Sequence, residues 1–222
     1  GSPKECGAEI LSGRHLPPEW RGTFVTNDFR AHRVRRYEIS ENGAGYASRQ
    51  VAEPLRSKHI AFRPVDVKMG PDGAIYFADW YNPIIQHGEV DFRSPMRNHQ
   101  HGRVWRLTAK GRALVEKPKL VGATEEKLLD YLKAPEDWTR HHAKRVLSHR
   151  PQEKVAKALG EWVAGLDRAD PEYNHQLLEA LWTYQTIDKV EAGLLGRLLR
   201  SPDHKVRAAA TRVVGHWHDR LD

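Results

Sequence analysis

The chain has 222 residues, 39% of them hydrophobic and 29% charged, which is enough for one large domain or two small ones. Its single cysteine, Cys6, excludes an intrachain disulfide framework and a Cys-x-x-Cys-His haem attachment within the chain, and seven tryptophans argue against disorder because large apolar rings need burial. The net charge of +7 lies wholly in the first half: through Lys119 there are 20 Lys and Arg against 13 Asp and Glu, and from Leu120 onward 16 against 16. Such an excess suits either an anion-binding face or a solvated basic surface. No stretch approaches the roughly 20 apolar residues that span a bilayer. The chain begins Gly1-Ser2-Pro3-Lys4-Glu5, with neither an initiating Met nor a signal-peptide pattern, and reads as a piece of a longer protein.

The first half reads as β. Gly22 to Asp28 is a short strand ending in a polar turn. Arg33 to Ile39 alternates with period 2, with Arg33, Arg35, Tyr37 and Ile39 on one face and Val34 out of step, and Asn42-Gly43 breaks it. Val65 to Met69, the turn Gly70-Pro71-Asp72-Gly73 and the return strand Ala74 to Trp80 form a hairpin, and Gly102 to Thr108 is a further strand. Short strands with Gly/Asp turns at this spacing suggest a sandwich, a barrel or a propeller. The segment Tyr81 to His101 is long, aperiodic and rich in His, Asn, Arg and Pro. A structureless stretch of about 20 residues is uncommon and often functional.

The second half reads as α. Leu128, Leu129 and Leu132 follow Thr124 at helical spacing, and Pro135 stops that helix. Further helices are expected over Trp138–Ser148, Gln152–Leu166, Pro171–Tyr184, Val190–Leu199 and His204–Trp217. A shift of 67 residues lays Leu128 on Leu195, Pro135 on Pro202, Arg140 on Arg207, Ala143 on Ala210 and His149 on His216. This internal repeat is about twice the length of a helix pair of about 33 residues, so three HEAT-like pairs are expected, with more beyond Asp222. Trp162, Trp182 and Trp217 are expected in their core. The repeat-equivalent His149 and His216 are expected to be structural, near helix C-termini.

Five blocks succeed one another in the first half: Cys6-Gly7-Ala8-Glu9-Ile10-Leu11; Asp28-Phe29-Arg30-Ala31-His32-Arg33-Val34; Phe62-Arg63-Pro64-Val65-Asp66-Val67; Asp79-Trp80-Tyr81-Asn82-Pro83-Ile84-Ile85-Gln86-His87; and His101-Gly102-Arg103-Val104-Trp105-Arg106-Leu107. Glu179-Ala180-Leu181-Trp182 and Arg207 to Val213 continue the series. This order resembles the planctomycete-type membrane-bound dehydrogenases, also called haem-binding Cys-x-x-Cys-His proteins. The resemblance implies a fold class of partial β-propeller blades followed by an α-solenoid of HEAT-like helix pairs. Residues 1–119 would be the C-terminal blades and residues 120–222 the helical repeats. It further implies a periplasmic or secreted parent that oxidises a sugar-like alcohol or aldehyde with pyrroloquinoline quinone (PQQ) and Ca²⁺. Electrons would pass to a c-type haem domain of the same parent that lies outside this chain, and the isolated chain is expected to be inactive.

Within that reading His87 and His101 are the candidates for the base that takes the hydroxyl proton, because imidazole titrates near neutrality. Arg30, His32, Arg93, Arg97 and Arg103 are the candidates for clamping cofactor carboxylates. Asp66 and Asp79 are candidate calcium ligands, although turn capping is the simpler role for them and for Asp28. His99 and His101 have metal-pair spacing but no third ligand at motif distance. The cluster Arg30 to Arg36 has only Phe29 and Tyr37 beside it, so nucleic acid is not expected as a partner. The rival reading is a non-catalytic scaffold that binds protein or glycan.

Overall fold

A computed structural model describes residues 4–86 and 90–221. The chain divides into two compact units, Gly1–Lys117 and Pro118–Asp222. Among the described residues no helix is long and apolar enough to cross a membrane.

The first unit is built from two antiparallel sheets. One has the order β1 (Glu5–Ile10), β2 (Phe24–Asp28), β3 (Arg33–Asn42), β4 (Gly45–Arg56). The other has the order β5 (Pro64–Met69), β6 (Ile75–Asp79), β7 (Arg103–Leu107). Gly7 makes their approach possible. It sits at a register shift in β1 with φ +66, and a Cβ there would lie 2.8 Å from the Asp66 Cα. Only a residue without a side chain fits a bulge in the left-handed region pressed against a neighbouring strand. Leu11, Val25, Val34, Phe62, Val67, Ile75 and Phe77 form the shared core.

The expected propeller blades are not there. The sheets are small, of four and three strands, and neither closes. The long arms of β3 and β4, 10 and 12 residues, run out to ends exposed on both faces. What stands of the expected fold class is its order, β elements before α elements. The reason for the difference is physical: alternation and turn chemistry specify hairpins, and they leave open how hairpins assemble. The parity of β3 also differs from its charge pattern. Val34 and Arg36 point inward and are buried, and Arg36 lies over the Trp20 ring at 4.7 Å. Outside, Arg33 donates to Asp28 at 3.0 Å and Glu53 at 2.6 Å, and Arg35 pairs with Glu5. Arg33 and Arg35 of the basic cluster are thus neutralised within their own sheet.

The second unit contains α1 (Glu125–Asp130, continued by a 3-10 turn, Tyr131–Lys133), α2 (Asp137–Leu147), α3 (Gln152–Ala164), α4 (Tyr173–Thr186), α5 (Ala192–Leu198) and α6 (His204–Trp217). Thr124 caps α1, accepting from the Lys127 N–H at 3.3 Å, and Asp203 caps α6, accepting from the Lys205 N–H at 2.8 Å. The core runs from Leu128, Leu129 and Leu132 through Ala143, Leu159, Leu177 and Leu181 to Val206, Val213 and Trp217. The 67-residue repeat has a physical counterpart. Arg140 Nη1 donates to the Ala134 carbonyl at 2.6 Å, and Arg207 Nη1 to the Ser201 carbonyl at 2.8 Å, so both donors and both acceptors stand one repeat apart. In each case an arginine satisfies a carbonyl left open where the preceding helix ends.

Candidate functional site

The site grows from the end of β6. Alternation along this strand sends Ile75, Phe77 and Asp79 inward. Asp79 is therefore a carboxylate at the edge of an apolar core, and it is fully subscribed by donors. One oxygen accepts from the Arg63 N–H (2.7 Å) and the Tyr81 N–H (2.9 Å). The other accepts from Arg103 Nε (2.9 Å) and Trp105 Nε1 (3.0 Å). Burial by itself raises the carboxyl pKa, but the donors of Arg63, Trp105, Tyr81 and Arg103 bring it below the ordinary range.

Anchored in this way, the chain leaves β6 along a constrained path. Tyr81 takes a positive φ of 53, a costly conformation for a tyrosine. Its ring lies beneath the Arg103 guanidinium at 3.9 Å, stacks on His59 at 5.7 Å and meets the edge of His101 at 6.0 Å. Asn82, buried, accepts from the Ile84 N–H at 3.1 Å and donates to the Asn98 carbonyl at 3.2 Å, closing the loop at its base. Arg97, also buried, holds the far part. Its Nε donates to the Asp91 carbonyl (3.1 Å), and its Nη2 donates to those of Gln86 (2.7 Å) and Val90 (2.9 Å). A loop without regular structure needs such partners for its backbone.

Between these anchors lies an open cleft of ≈ 580 Å³. Two aromatic rings reach it, Trp80 at 42% exposure and Phe92 at 65%. The polar lining is mainly amide and imidazole: Asn82, Gln86, Asn98 and Gln100, with His99 and His101. His101 is held in a defined tautomer. The Asn98 side-chain oxygen accepts from the N–H groups of Gln100 (3.1 Å) and His101 (2.8 Å), which fixes it as the oxygen. It also lies 3.1 Å from His101 Nδ1, so Nδ1 donates to it and in the neutral ring Nε2 is the acceptor.

The candidates read from the sequence are distributed unevenly around this cleft. His101 and Arg97 line it, and Arg103 adjoins it through Tyr81. Arg93 is exposed in the same loop, its N–H donating to Asp91 at 2.7 Å. Arg30 and His32 meet at Arg63 instead. Arg63 donates to the carbonyls of Phe29 (2.9 Å), Arg30 (3.3 Å), Asn82 (2.9 Å) and Pro83 (3.0 Å), and His32 Nδ1 donates to the Phe62 carbonyl at 2.9 Å. Asp66 sits apart on β5, more than half exposed, with its Oδ1 on the Val67 N–H at 2.9 Å. His87 lies outside the described residues.

Two of the candidate clamps and one candidate calcium ligand are already engaged within the chain. The guanidinium donors of Arg97 and Arg103 go to carbonyls and to Asp79, and the Asp79 oxygens already hold N–H groups. Among the described residues no three His, Cys, Asp or Glu side chains gather in a way that could hold a metal ion. Sequence reasoning missed Trp80, Phe92, Asn82 and Asn98. Trp80 had a signal, since the residue after an inward Asp79 must turn outward. Phe92 and the two asparagines had none outside the folded loop.

Residues 3–111, which carry this cleft, match a domain of unknown function, DUF7133. No curated protein and no solved structure matches the chain.

Proposed function

We propose that the first unit binds a sugar-like, polyhydroxylated molecule in the cleft between Trp80, Phe92 and His101. One observation carries the reading: two exposed aromatic rings share a cleft with amide and imidazole groups. A sugar ring offers apolar C–H faces and a rim of hydroxyls that both donate and accept. Aromatic rings match the faces, and amides match the rim with paired donors and acceptors. The one guanidinium lining the cleft, that of Arg97, is occupied by carbonyls, which favours a neutral ligand. The resemblance to sugar dehydrogenases points to the same ligand class. The test is titration of the chain with a panel of aldoses, disaccharides and acyclic polyols, followed by amide NMR shifts and tryptophan fluorescence. Trp80→Ala should weaken the best ligand about 5- to 30-fold, the loss of about 1–2 kcal/mol of ring stacking. A panel without any saturable response at tens of millimolar refutes the proposal.

His101 favours a second, catalytic reading. With Nδ1–H fixed on Asn98, its Nε2 is an acceptor beside the cleft, suited to take a hydroxyl proton from a bound alcohol or aldehyde hydrate. The hydride would pass to a two-electron acceptor of the quinone class, the PQQ implied by the resemblance, held outside these residues. The c-type haem domain implied by the resemblance, in a periplasmic or secreted parent, would carry the electrons onward. The intact parent with His101→Ala should keep sugar binding and lose sugar-dependent dye reduction. Equal reduction by variant and wild type leaves the binding reading alone.

A further inference from the structure

The helical unit holds a cavity of its own, ≈ 360 Å³, walled by α3, α4 and α5 with its N-cap Glu191. Val163 and Leu194 give it apolar sides, and Tyr184 closes one end. Gly160 and Gly193 keep it open. A Cβ on Gly193 would lie 3.2 Å from Glu191 Oε1, and one on Gly160 would lie 3.7 Å from the Tyr184 hydroxyl.

Two opposite charges line this small space, Glu191 and Arg197. Six residues apart, at the N-cap and in the last turn of α5, they stand about 9 Å apart along its axis, too far to satisfy each other unaided. Arg197 gives one Nη2 bond to the Tyr173 hydroxyl at 2.6 Å and lies over that ring at 5.3 Å, which leaves most of its five donors unassigned. Glu191 is half-buried. Its side chain does not cap α5, and among the described residues its carboxylate makes no hydrogen bond or ion pair. It lies close enough to Tyr184 that, after burial, its charge is what raises that phenol's pKa. The Glu191 carboxylate oxygens are thus open to a donor that enters the cavity.

We propose that this cavity binds a small aliphatic zwitterion of the amino-acid class. The ammonium group donates to Glu191 and to the Tyr184 oxygen, the carboxylate takes the free donors of Arg197, and the aliphatic side chain lies between Val163 and Leu194. An ammonium has three donors and needs such acceptors, while a guanidinium pairs with a carboxylate through parallel bonds. The volume is at the lower end of small-molecule sites, which suits one amino acid. The site lies in the helical unit and stands whether or not the cleft between Trp80, Phe92 and His101 binds sugar.

The test titrates the chain with L-leucine, with L-leucinamide, which lacks the carboxylate, and with 4-methylpentanoate, which lacks the ammonium. Amide NMR shifts locate binding and calorimetry measures it. L-Leucine should saturate, with shifts confined to α3, α4 and α5, and each truncated compound should bind at least tenfold more weakly. Glu191→Gln and Arg197→Gln should each weaken L-leucine tenfold or more. Gly160→Leu, which adds a good helix former and fills the cavity, should abolish binding while leaving the urea midpoint unchanged or raised. The proposal is overturned if L-leucine gives no saturable shifts, if L-leucinamide binds as tightly, or if Gly160→Leu binds unchanged.

Discussion

Glu179 offers the sharpest test of how the helical unit is held together. Its carboxylate is almost fully buried in α4, between Arg140 Nε at 2.9 Å, Lys144 on the other oxygen, and His175 Nε2 at 3.4 Å. Burial alone pushes this carboxyl up, but the bond from His175 and the charges of Lys144 and Arg140 outweigh it and bring the pKa to about 2. Measured from an ordinary 4.5, that corresponds to about 3 kcal/mol of stability at neutral pH. The folded pKa is the lower one, so the contribution is complete above pH 4.5 and disappears as the pH falls from there through 2. Glu179→Gln keeps the shape and removes the charge, leaving Lys144 and Arg140 facing a neutral amide. Arg140 retains Asp137 and the Ala134 carbonyl, so the cost should be near the lower end of the range for a broken buried pair, about 3 kcal/mol. Every α-helix of the described residues lies in this unit, so circular dichroism at 222 nm during urea unfolding reports on it. At pH 7 the variant midpoint should fall by about 1–3 M for a slope of about 1–3 kcal/mol per molar. Near pH 2.5 variant and wild type should converge. A loss below about 1 kcal/mol at pH 7, or a variant that keeps the wild-type pH dependence between pH 5 and 2, refutes the reasoning.

Two further substitutions probe the first unit. Gly7→Ala must place a Cβ 2.8 Å from the Asp66 backbone at φ +66, so it should destabilise the unit by more than about 1 kcal/mol, seen as faster hydrogen exchange across β1 and β5. Asp79→Asn turns an acceptor into a donor facing Arg103 and Trp105 or the N–H groups of Arg63 and Tyr81. It should cost about 2–4 kcal/mol and shift the Trp105 indole N–H resonance. Because the Asp79 pKa is lowered, the wild-type protection of β5 to β7 should be lost as the pH falls below 3.8, whereas the variant should lack that acid step. Unchanged exchange in either variant contradicts this packing.

The helices were open to reading because each is decided over a few residues. Leucines at period 3.6, Thr124 as a cap and Pro135 as a stop act within one or two turns, whereas Asp203 as the cap of α6 was seen only in the structure. The 67-residue repeat needed only self-comparison. Strands such as Val65–Met69 and Ala74–Trp80 were open for the same local reason, with a Gly-Pro-Asp-Gly turn between them. β1 and β4 were not, because Cys6 to Glu9 and Tyr46 to Gln50 lack alternation. They are strands because β2 and β3 offer them a pairing edge.

The order of residues by itself determined that this chain has two kinds of half, that its charge lies in the first, and that the segment from Tyr81 to His101 is long, aperiodic and rich in His, Asn, Arg and Pro. Only the tertiary structure decided which side chains hold that segment. It engaged Arg63, Arg97, Arg103 and Asp79 in holding the loop and left Trp80, Phe92 and His101 facing a cleft. It also decided that the hairpins form two open sheets, and that Glu191 and Arg197 share a cavity without sharing a bond. The division has a physical cause. Periodicity and capping are short-range properties of the chain, whereas the partner of a buried charge is whichever group the fold brings within about 3 Å of it.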